Sequence, residues 1–200
     1  MKIAILKERR PYETRVAASA ETIKKFSDLG ADVYVEKDAG KGSSIPDADF
    51  EEAGATIAAN AADAVLGAEI VLKVQRPMIA GEKQDELSIL SSGQSLVCQM
   101  NALTDNDFVA AMEEAGITGF AMELMPRISR AQSMDVLSSQ SNLAGYKAVL
   151  DAASEFGRAF PMMMTAAGTV PPARVLVMGC LLYTSPSPRD ATLSRMPSSA

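Results

Sequence analysis

A chain of 200 residues, of which 48% are hydrophobic and 22% charged, has the composition of a folded protein with one large domain or two small ones. Its formal net charge of −6 argues against nucleic-acid binding, which usually needs a basic surface. The sequence contains no histidine, which excludes catalytic triads and metal sites that depend on this residue. Two cysteines, Cys98 and Cys180, cannot form a disulfide framework and indicate a reducing compartment.

Neither a targeting segment nor a membrane-spanning segment is visible in the sequence. The apolar run at 1–7 is too short for a signal peptide. The most apolar stretch, at 159–183, is interrupted by prolines and by Arg174, and it lacks the roughly 20 apolar residues of a transmembrane helix. We therefore expect a cytoplasmic chain that does not insert into a membrane by itself.

Short apolar segments alternate with helical segments over residues 1–125. Ser19 and Thr104 are the predicted N-caps of the two longer helices. This alternation predicts βαβ units and a mostly parallel sheet with helices on both faces, a Rossmann-like or flavodoxin-like α/β fold. The predicted strands cover residues 2–6, 32–36, 70–74, 96–100 and 118–124, and the predicted helices cover residues 19–29, 47–53, 61–66 and 105–115.

After the last of these strands the pattern changes. A polar loop at 125–132 precedes a long helical segment at 133–156, for which Ser133 is the predicted cap. A loop at 161–172 follows, and the apolar run at 174–179 predicts the first strand of a second α/β unit.

The last 20 residues, 181–200, have neither a helical nor a strand period. They resemble a translated sequencing-library adaptor. We therefore expect this segment to be a non-native or disordered tail, and the natural sequence to stop near Gly179 or Cys180.

Polar side chains follow several of the predicted strands. Arg15 lies beyond the first strand, Lys73 and Gln75 end the third, and Gln99 ends the fourth. Ligands of open parallel sheets bind outside the carboxyl ends of the strands, and these groups suit a carboxylate, a phosphate or a carboxamide. The alternative is that these loop ends are polar because they meet solvent.

The loop at 127–138 is a second candidate. Arg127 and Gln132 could hold an amide or a ribose, and Asp135 and Ser138 are three residues apart, which places them on one face of a helix. The alternative is a simple helix start, with an acidic residue near the positive end of the helix dipole.

Two nucleotide-binding motifs are incomplete. The segment Gly40-Lys41-Gly42-Ser43 is not a phosphate loop, because Val35 stands where the first glycine is needed and Gly42 follows the lysine. A dinucleotide fingerprint starting at Gly179 would need glycines at the positions of Leu181 and Thr184.

Long near-verbatim motifs connect the chain with a known family. Over residues 1–179 it resembles the NAD(H)-binding alpha subunit of proton-translocating NAD(P) transhydrogenases, which is related to alanine dehydrogenase. The most specific stretches are residues 7–16, 73–77, 125–135, 138–149 and 160–168.

The resemblance implies hydride transfer from NADH on this component to NADP⁺ on a partner component, coupled to proton movement through a membrane component. Arg127, Asp135 and Ser138 would orient the nicotinamide carboxamide and the nearby ribose, and Gln132 would reach towards the second nucleotide. No side chain is expected to act as a catalytic acid or base, and no metal is expected. The resemblance also implies a homodimer on the cytoplasmic face of the inner membrane.

The same resemblance divides the chain into an α/β domain at 1–125, a nicotinamide-contacting loop, helix and linker at 126–173, and the first strand of a truncated NAD(H)-binding domain at 174–180. Gly179 would open that domain. Because the glycine-rich turn that should hold the pyrophosphate is missing, we expect the chain alone to bind NADH very weakly and to be inactive.

Two alternatives remain. Arg15 and Lys73 match the carboxylate-holding residues of alanine dehydrogenase. That enzyme uses a histidine near the end of the fourth strand, where this chain has Gln99, Met100 and Asn101. The other alternative is a non-catalytic interaction fragment.

Overall fold

The computed structural model describes residues 1–126 and 128–177. It divides into two compact units, one formed by residues 1–125 and the other beginning at Pro126.

The first unit contains a six-stranded sheet in which every neighbouring pair of strands is parallel. The strand order is β3-β2-β1-β4-β5-β6, which confirms the predicted α/β class. Because the order reverses between β1 and β4, these two strands form the switch point beside which sheets of this type bind ligands. The strands are β1 (Lys2–Ile5), β2 (Asp32–Glu36), β3 (Thr56–Ala58), β4 (Ile70–Gln75), β5 (Ser95–Gln99) and β6 (Thr118–Ala121).

The sheet is covered by two separate apolar clusters. Successive side chains of a strand point to opposite faces, so Ala4 and Leu6 enter one cluster and Ile5 enters the other. Phe108 is fully buried in the first cluster and Phe50 in the second. The helices of this unit are α1 (Ala20–Asp28), α2 (Asp47–Glu52), α3 (Ala61–Val65) and α4 (Asn106–Ala115).

The first unit differs from the prediction in three main details. Strand β3 was not predicted, because three residues are too few to show a period. The N-cap of α4 is Asp105 rather than Thr104, since the Asp105 carboxylate accepts the Phe108 N–H at 3.2 Å. Strand β6 ends at Ala121, and the predicted remainder forms a 3₁₀ turn. The predicted cap Ser19 is confirmed: its hydroxyl accepts the Thr22 N–H.

The second unit starts with a 3₁₀ helix at Ser129–Met134, most of which was predicted as a loop. It continues with the long helix α5 (Val136–Glu155), as predicted. The cap of α5 is Asp135 and not Ser133. Within the segment predicted as a loop, β7 (Met163–Thr165) and β8 (Gly168–Val170) form an antiparallel hairpin.

Residues 174–177 have no regular secondary structure, so the strand expected at 174–179 is not formed over its described part. Val175, Leu176 and Val177 are 62%, 83% and 69% exposed, and a strand forms only against a hydrogen-bonding neighbour. The predicted tail at 181–200 lies outside the described residues. Among the helices of residues 1–126 and 128–177, none is long and apolar enough to cross a membrane.

Candidate functional site

Lys73 lies at the switch point of the sheet, close to the carboxyl end of β4, and its side chain is only 1% exposed. Its Nζ atom is 2.6 Å from Glu86 Oε1 and 3.9 Å from Glu8 Oε2. The structure therefore places this predicted crevice residue in a buried ion cluster, with both neighbouring carboxylates almost fully enclosed.

Glu8 joins the ends of the two central strands. One of its carboxylate oxygens accepts the Val74 N–H at 2.7 Å, and the other accepts the Gln75 N–H at 3.4 Å. Burial raises the pKa of Glu8, although Lys73 and the two amides favour the charged form. Enclosure therefore outweighs the nearby cation in its effect on the pKa of this carboxyl group.

Arg9 extends the cluster to a third strand. It contacts Glu36 at the end of β2, and its Nη1 atom is 3.4 Å from Glu86 Oε1. Glu36 in turn accepts the Lys7 N–H at 2.9 Å. Buried charges are tolerated when they are paired and hydrogen-bonded, and this network meets that condition while connecting β1, β2 and β4.

Arg15 and Gln75 are brought together by a residue that the sequence analysis did not select, Glu13. The Glu13 carboxylate accepts Arg15 Nε at 2.7 Å, Arg15 Nη2 at 2.6 Å and Gln75 Nε2 at 3.0 Å. The hydrogen bond from Arg15 lowers the pKa of Glu13 to about 2. The spacing Glu-Thr-Arg could have revealed this pair, because side chains two residues apart in an extended segment lie on the same side.

The carboxyl end of β5 is held by Glu123. Its two carboxylate oxygens accept the Met100 and Ala102 N–H groups, each at 3.0 Å. Burial opposes ionisation, but these amides prevail and lower the pKa of Glu123. Between them, Asn101 adopts a left-handed backbone conformation with φ of 55°. The last residue of β5, Gln99, is in register with Gln75 of β4.

In the second unit the structure brings Asp135 and Ser138 together. One Asp135 carboxylate oxygen accepts the N–H groups of Leu137 at 3.0 Å and Ser138 at 3.1 Å, which caps α5. The Ser138 hydroxyl donates to the other oxygen at 2.5 Å. Gln132 lies on the preceding 3₁₀ helix and is exposed. The alternative interpretation as a helix start is correct in placing Asp135 at the positive end of the helix dipole, but the cap is Asp135 itself and not Ser133. The cap carries the acid and hydroxyl groups of the candidate site.

Two predicted binding residues, Arg127 and Gly179, lie outside the described residues. Cys98 is buried on β5, and burial raises the pKa of its thiol to about 12. A thiol with this pKa is not ionised near neutral pH, so Cys98 is unsuited to a nucleophilic role.

Comparison with known proteins gives a family for both regions of the chain. A model described as "Alanine dehydrogenase/PNT, N-terminal domain" matches residues 4–144. A second model, described as "Alanine dehydrogenase/PNT, C-terminal domain", matches residues 148–180.

Individual relatives differ in how similar they are. The chain is 63% identical over 179 residues to an NAD(P) transhydrogenase alpha subunit of Rhodospirillum rubrum, a match that covers 90% of this chain and 47% of that protein. The crystal structure of transhydrogenase from Sinorhizobium meliloti superposes with a TM-score of 0.81 at 54% identity, covering 86% of this chain and 50% of that one. An alanine dehydrogenase from Halomonas elongata is 32% identical over 182 residues, covering 90% of this chain and 47% of that protein. The chain thus spans about half the length of the curated relatives that it matches.

Proposed function

Because the chain belongs to the alanine dehydrogenase/pyridine nucleotide transhydrogenase family, we propose that it is the amino-terminal portion of an NAD(H)-binding transhydrogenase component. In the complete protein this component holds NADH while hydride passes to NADP⁺ on a partner component, and a membrane component couples the transfer to proton translocation.

The observation that carries this proposal is the difference in similarity between the two branches of the family. Identity is 63% to the Rhodospirillum rubrum transhydrogenase subunit and 32% to the Halomonas elongata alanine dehydrogenase, and each match covers 90% of this chain. The absence of histidine from the whole sequence favours the same branch, because hydride transfer between two nicotinamides needs no general base.

The chemistry of the α5 cap fits the nicotinamide end of the cofactor. A carboxamide offers both a donor and an acceptor, which an acid, a hydroxyl and an amide side chain can match. Asp135 and Ser138 are fixed relative to each other by their own hydrogen bond, so they would orient the carboxamide and the nearby ribose together with Arg127. Exposed Gln132 would reach towards the second nucleotide.

The hydride chemistry is supplied by the nicotinamide when it is bound, and the protein contributes position and electrostatics. A carboxylate oriented by two backbone amides keeps its place when a ligand arrives, so less ordering is needed on binding. No side chain of this chain is required to take up or release a proton during the transfer.

The assembly belongs to the same proposal. We place the component in a homodimer, peripheral on the cytoplasmic face of the inner membrane, beside an NADP(H)-binding component and a membrane-embedded one. Helix α5 supports contacts of this kind, because it has no buried residue and exposes Leu143, Tyr146 and Val149 at 60%, 67% and 58%.

A chimera tests the proposal. Residues 1–179 of this chain replace the matching 179 residues of the Rhodospirillum rubrum subunit, and the product is mixed with that organism's other transhydrogenase components. We expect NADH-dependent reduction of an NADP⁺ analogue. Asp135→Ala and Gln132→Ala should each lower the rate roughly tenfold, the effect of losing one charge-assisted or well-oriented contact. Ser88→Ala, a hydroxyl deletion in the first unit, should leave it unchanged.

Two results would count against the proposal. A folded chimera that oxidises L-alanine with NAD⁺ would place the chain in the other branch of the family. A folded chimera that transfers no hydride would contradict the proposed activity. A chimera whose rate is unchanged by both Asp135→Ala and Gln132→Ala would contradict the role assigned to these two residues.

The chain of 200 residues alone should bind NADH very weakly and be inactive, because the sequence after Gly179 lacks the glycines that hold a pyrophosphate. Titration of the chain with NADH, followed by nucleotide fluorescence, measures this directly. Micromolar affinity would contradict the expectation.

A further inference from the structure

We propose that Gly42 and Ser43 are positioning residues for Arg15. They belong to the Gly-Lys-Gly-Ser segment, which resembles a phosphate loop in composition but not in spacing. In the structure this segment forms a 3₁₀ turn between β2 and α2, and it packs against the backbone of Thr14.

Two contacts converge on the Thr14 carbonyl oxygen. The Ser43 hydroxyl donates to it at 2.8 Å. A Cβ atom added to Gly42 would lie 2.6 Å from the same oxygen and 3.1 Å from Thr14 Cα. The shorter of these distances is one that real Cβ atoms essentially never show, so any residue other than glycine at position 42 must push the Thr14 backbone away.

The loop that makes these contacts is itself anchored from α2. A Cβ atom on Gly40 would lie 2.7 Å from the ring of Phe50, which is fully buried. The Asp47 carboxylate accepts the Asp38 N–H with both oxygens, at 3.0 Å and 3.1 Å. The turn therefore has a fixed position against which Thr14 is held.

Thr14 connects the two residues of the ion pair that contacts Gln75. Glu13 and Arg15 are its chain neighbours, and the Glu13 carboxylate holds both the Arg15 guanidinium and the Gln75 amide. A two-point contact between carboxylate and guanidinium depends on alignment, so a shift of the peptide between them misaligns it. The Gly42–Ser43 turn thus helps to position Arg15 by holding the backbone of Thr14, the residue before it.

This inference goes beyond the proposed function, because Arg15 is not one of the residues assigned to the nicotinamide. It is tested without nucleotide, on the 200-residue chain. The readout is the rate at which the Arg15 Nε–H exchanges with solvent, measured by nuclear magnetic resonance. Arg15→Lys identifies the signal, and the Nε–H of Arg76, which lies 2.5 Å from Asp105, is the internal reference.

We expect Gly42→Ala and Ser43→Ala to accelerate the Arg15 exchange roughly fivefold, the change produced by weakening one ordinary hydrogen bond. Ser43→Thr keeps the hydroxyl and should restore the original rate. Ser88→Ala is the matched control, since it removes a similar hydroxyl-to-carbonyl bond, to Asp85, from another loop.

The comparison of Ser43→Ala with Ser43→Thr decides the question even if Gly42→Ala does not fold. If both variants exchange at the original rate, the proposal is wrong and the turn supports only the fold. The same conclusion follows if Ser43→Ala accelerates Arg15 and Arg76 equally, because that result indicates general loosening of the domain. Selective acceleration at Arg15, reversed by threonine, supports it.

Discussion

Different interactions stabilise the inside of each of the two units. Residues 1–125 enclose two apolar clusters and a buried network of charges at the carboxyl edge of the sheet. Among the described residues of the second unit, Ala131 is the one buried apolar residue, and order depends on local hydrogen bonds such as the α5 cap. Long-range packing therefore organises the first candidate site, and short-range capping organises the second. The two should respond differently to substitution.

The largest difference is expected for apolar truncations. Phe50→Ala removes a fully buried ring and should lower the free energy of unfolding by about 4 kcal/mol. Leu143→Ala, on exposed α5, should cost less than about 0.5 kcal/mol. Urea unfolding followed by circular dichroism gives both values. Similar losses of unfolding free energy in the two variants would mean that α5 is packed in solution, and the two units would then not differ in how they are stabilised.

Removing the central cation of the ion network should cost slightly less. Lys73→Met leaves Glu8 and Glu86 buried without their partner, and we expect a loss of about 3 kcal/mol in the free energy of unfolding. Lys24→Met, at an exposed position on α1, is the control in the same urea experiment. A loss no larger than that of the control would show that water enters the cluster and solvates both carboxylates.

The same cap substitution can be made in both units. Asp135→Ala should destabilise by about 1 kcal/mol, the ordinary value for a lost N-cap. Asp105→Ala should have the larger effect, because Asp105 also contacts Arg76 Nε at 2.5 Å. Thermal unfolding of the two variants compares them directly. An equal decrease would indicate that the ion pair with Arg76 contributes nothing to stability.

The smallest effect is expected at acidic pH. The folded-state pKa of Glu13 is about 2, below its ordinary value of 4.5, so its contribution to stability is present above pH 4.5 and is lost as the pH falls towards 2. Glu13→Gln and Arg15→Gln should both flatten the decline of the unfolding temperature over this range. If the unfolding temperature of a variant falls with pH as steeply as that of the original chain, groups other than the Glu13–Arg15 pair cause the decline.

Much of the fold was predictable because the signals are local. Apolar runs, the Ser19 cap and the alternation of elements indicate a parallel α/β sheet without any knowledge of contacts. The three residues of β3 were missed because a strand that short is defined by its neighbour β2 and not by its own sequence. The β7–β8 hairpin was missed for the same reason.

The candidate site was predictable to a lesser extent. Sequence reasoning placed Arg15, Lys73 and Gln75 at the carboxyl edge of the sheet, and they lie there. It did not foresee that Lys73 is enclosed by acids, since Glu86 is 13 residues away along the chain and meets it only in the folded state. Asp135 and Ser138 do meet, as their spacing of three indicated, but they meet as the N-cap and the third residue of α5 and not as two residues within a helix.

The central position of β1 has a consequence for how the chain is made. Strand β1 is synthesised before both of its neighbours, β2 on one side and β4 on the other. Until Gln75 has been added, this apolar strand of the nascent domain has one unpaired edge. At roughly 5–20 residues per second, the synthesis of residues 6–75 takes on the order of ten seconds. During that time the edge of β1 that later pairs with β4 stays open, and the open edge of an apolar strand favours aggregation.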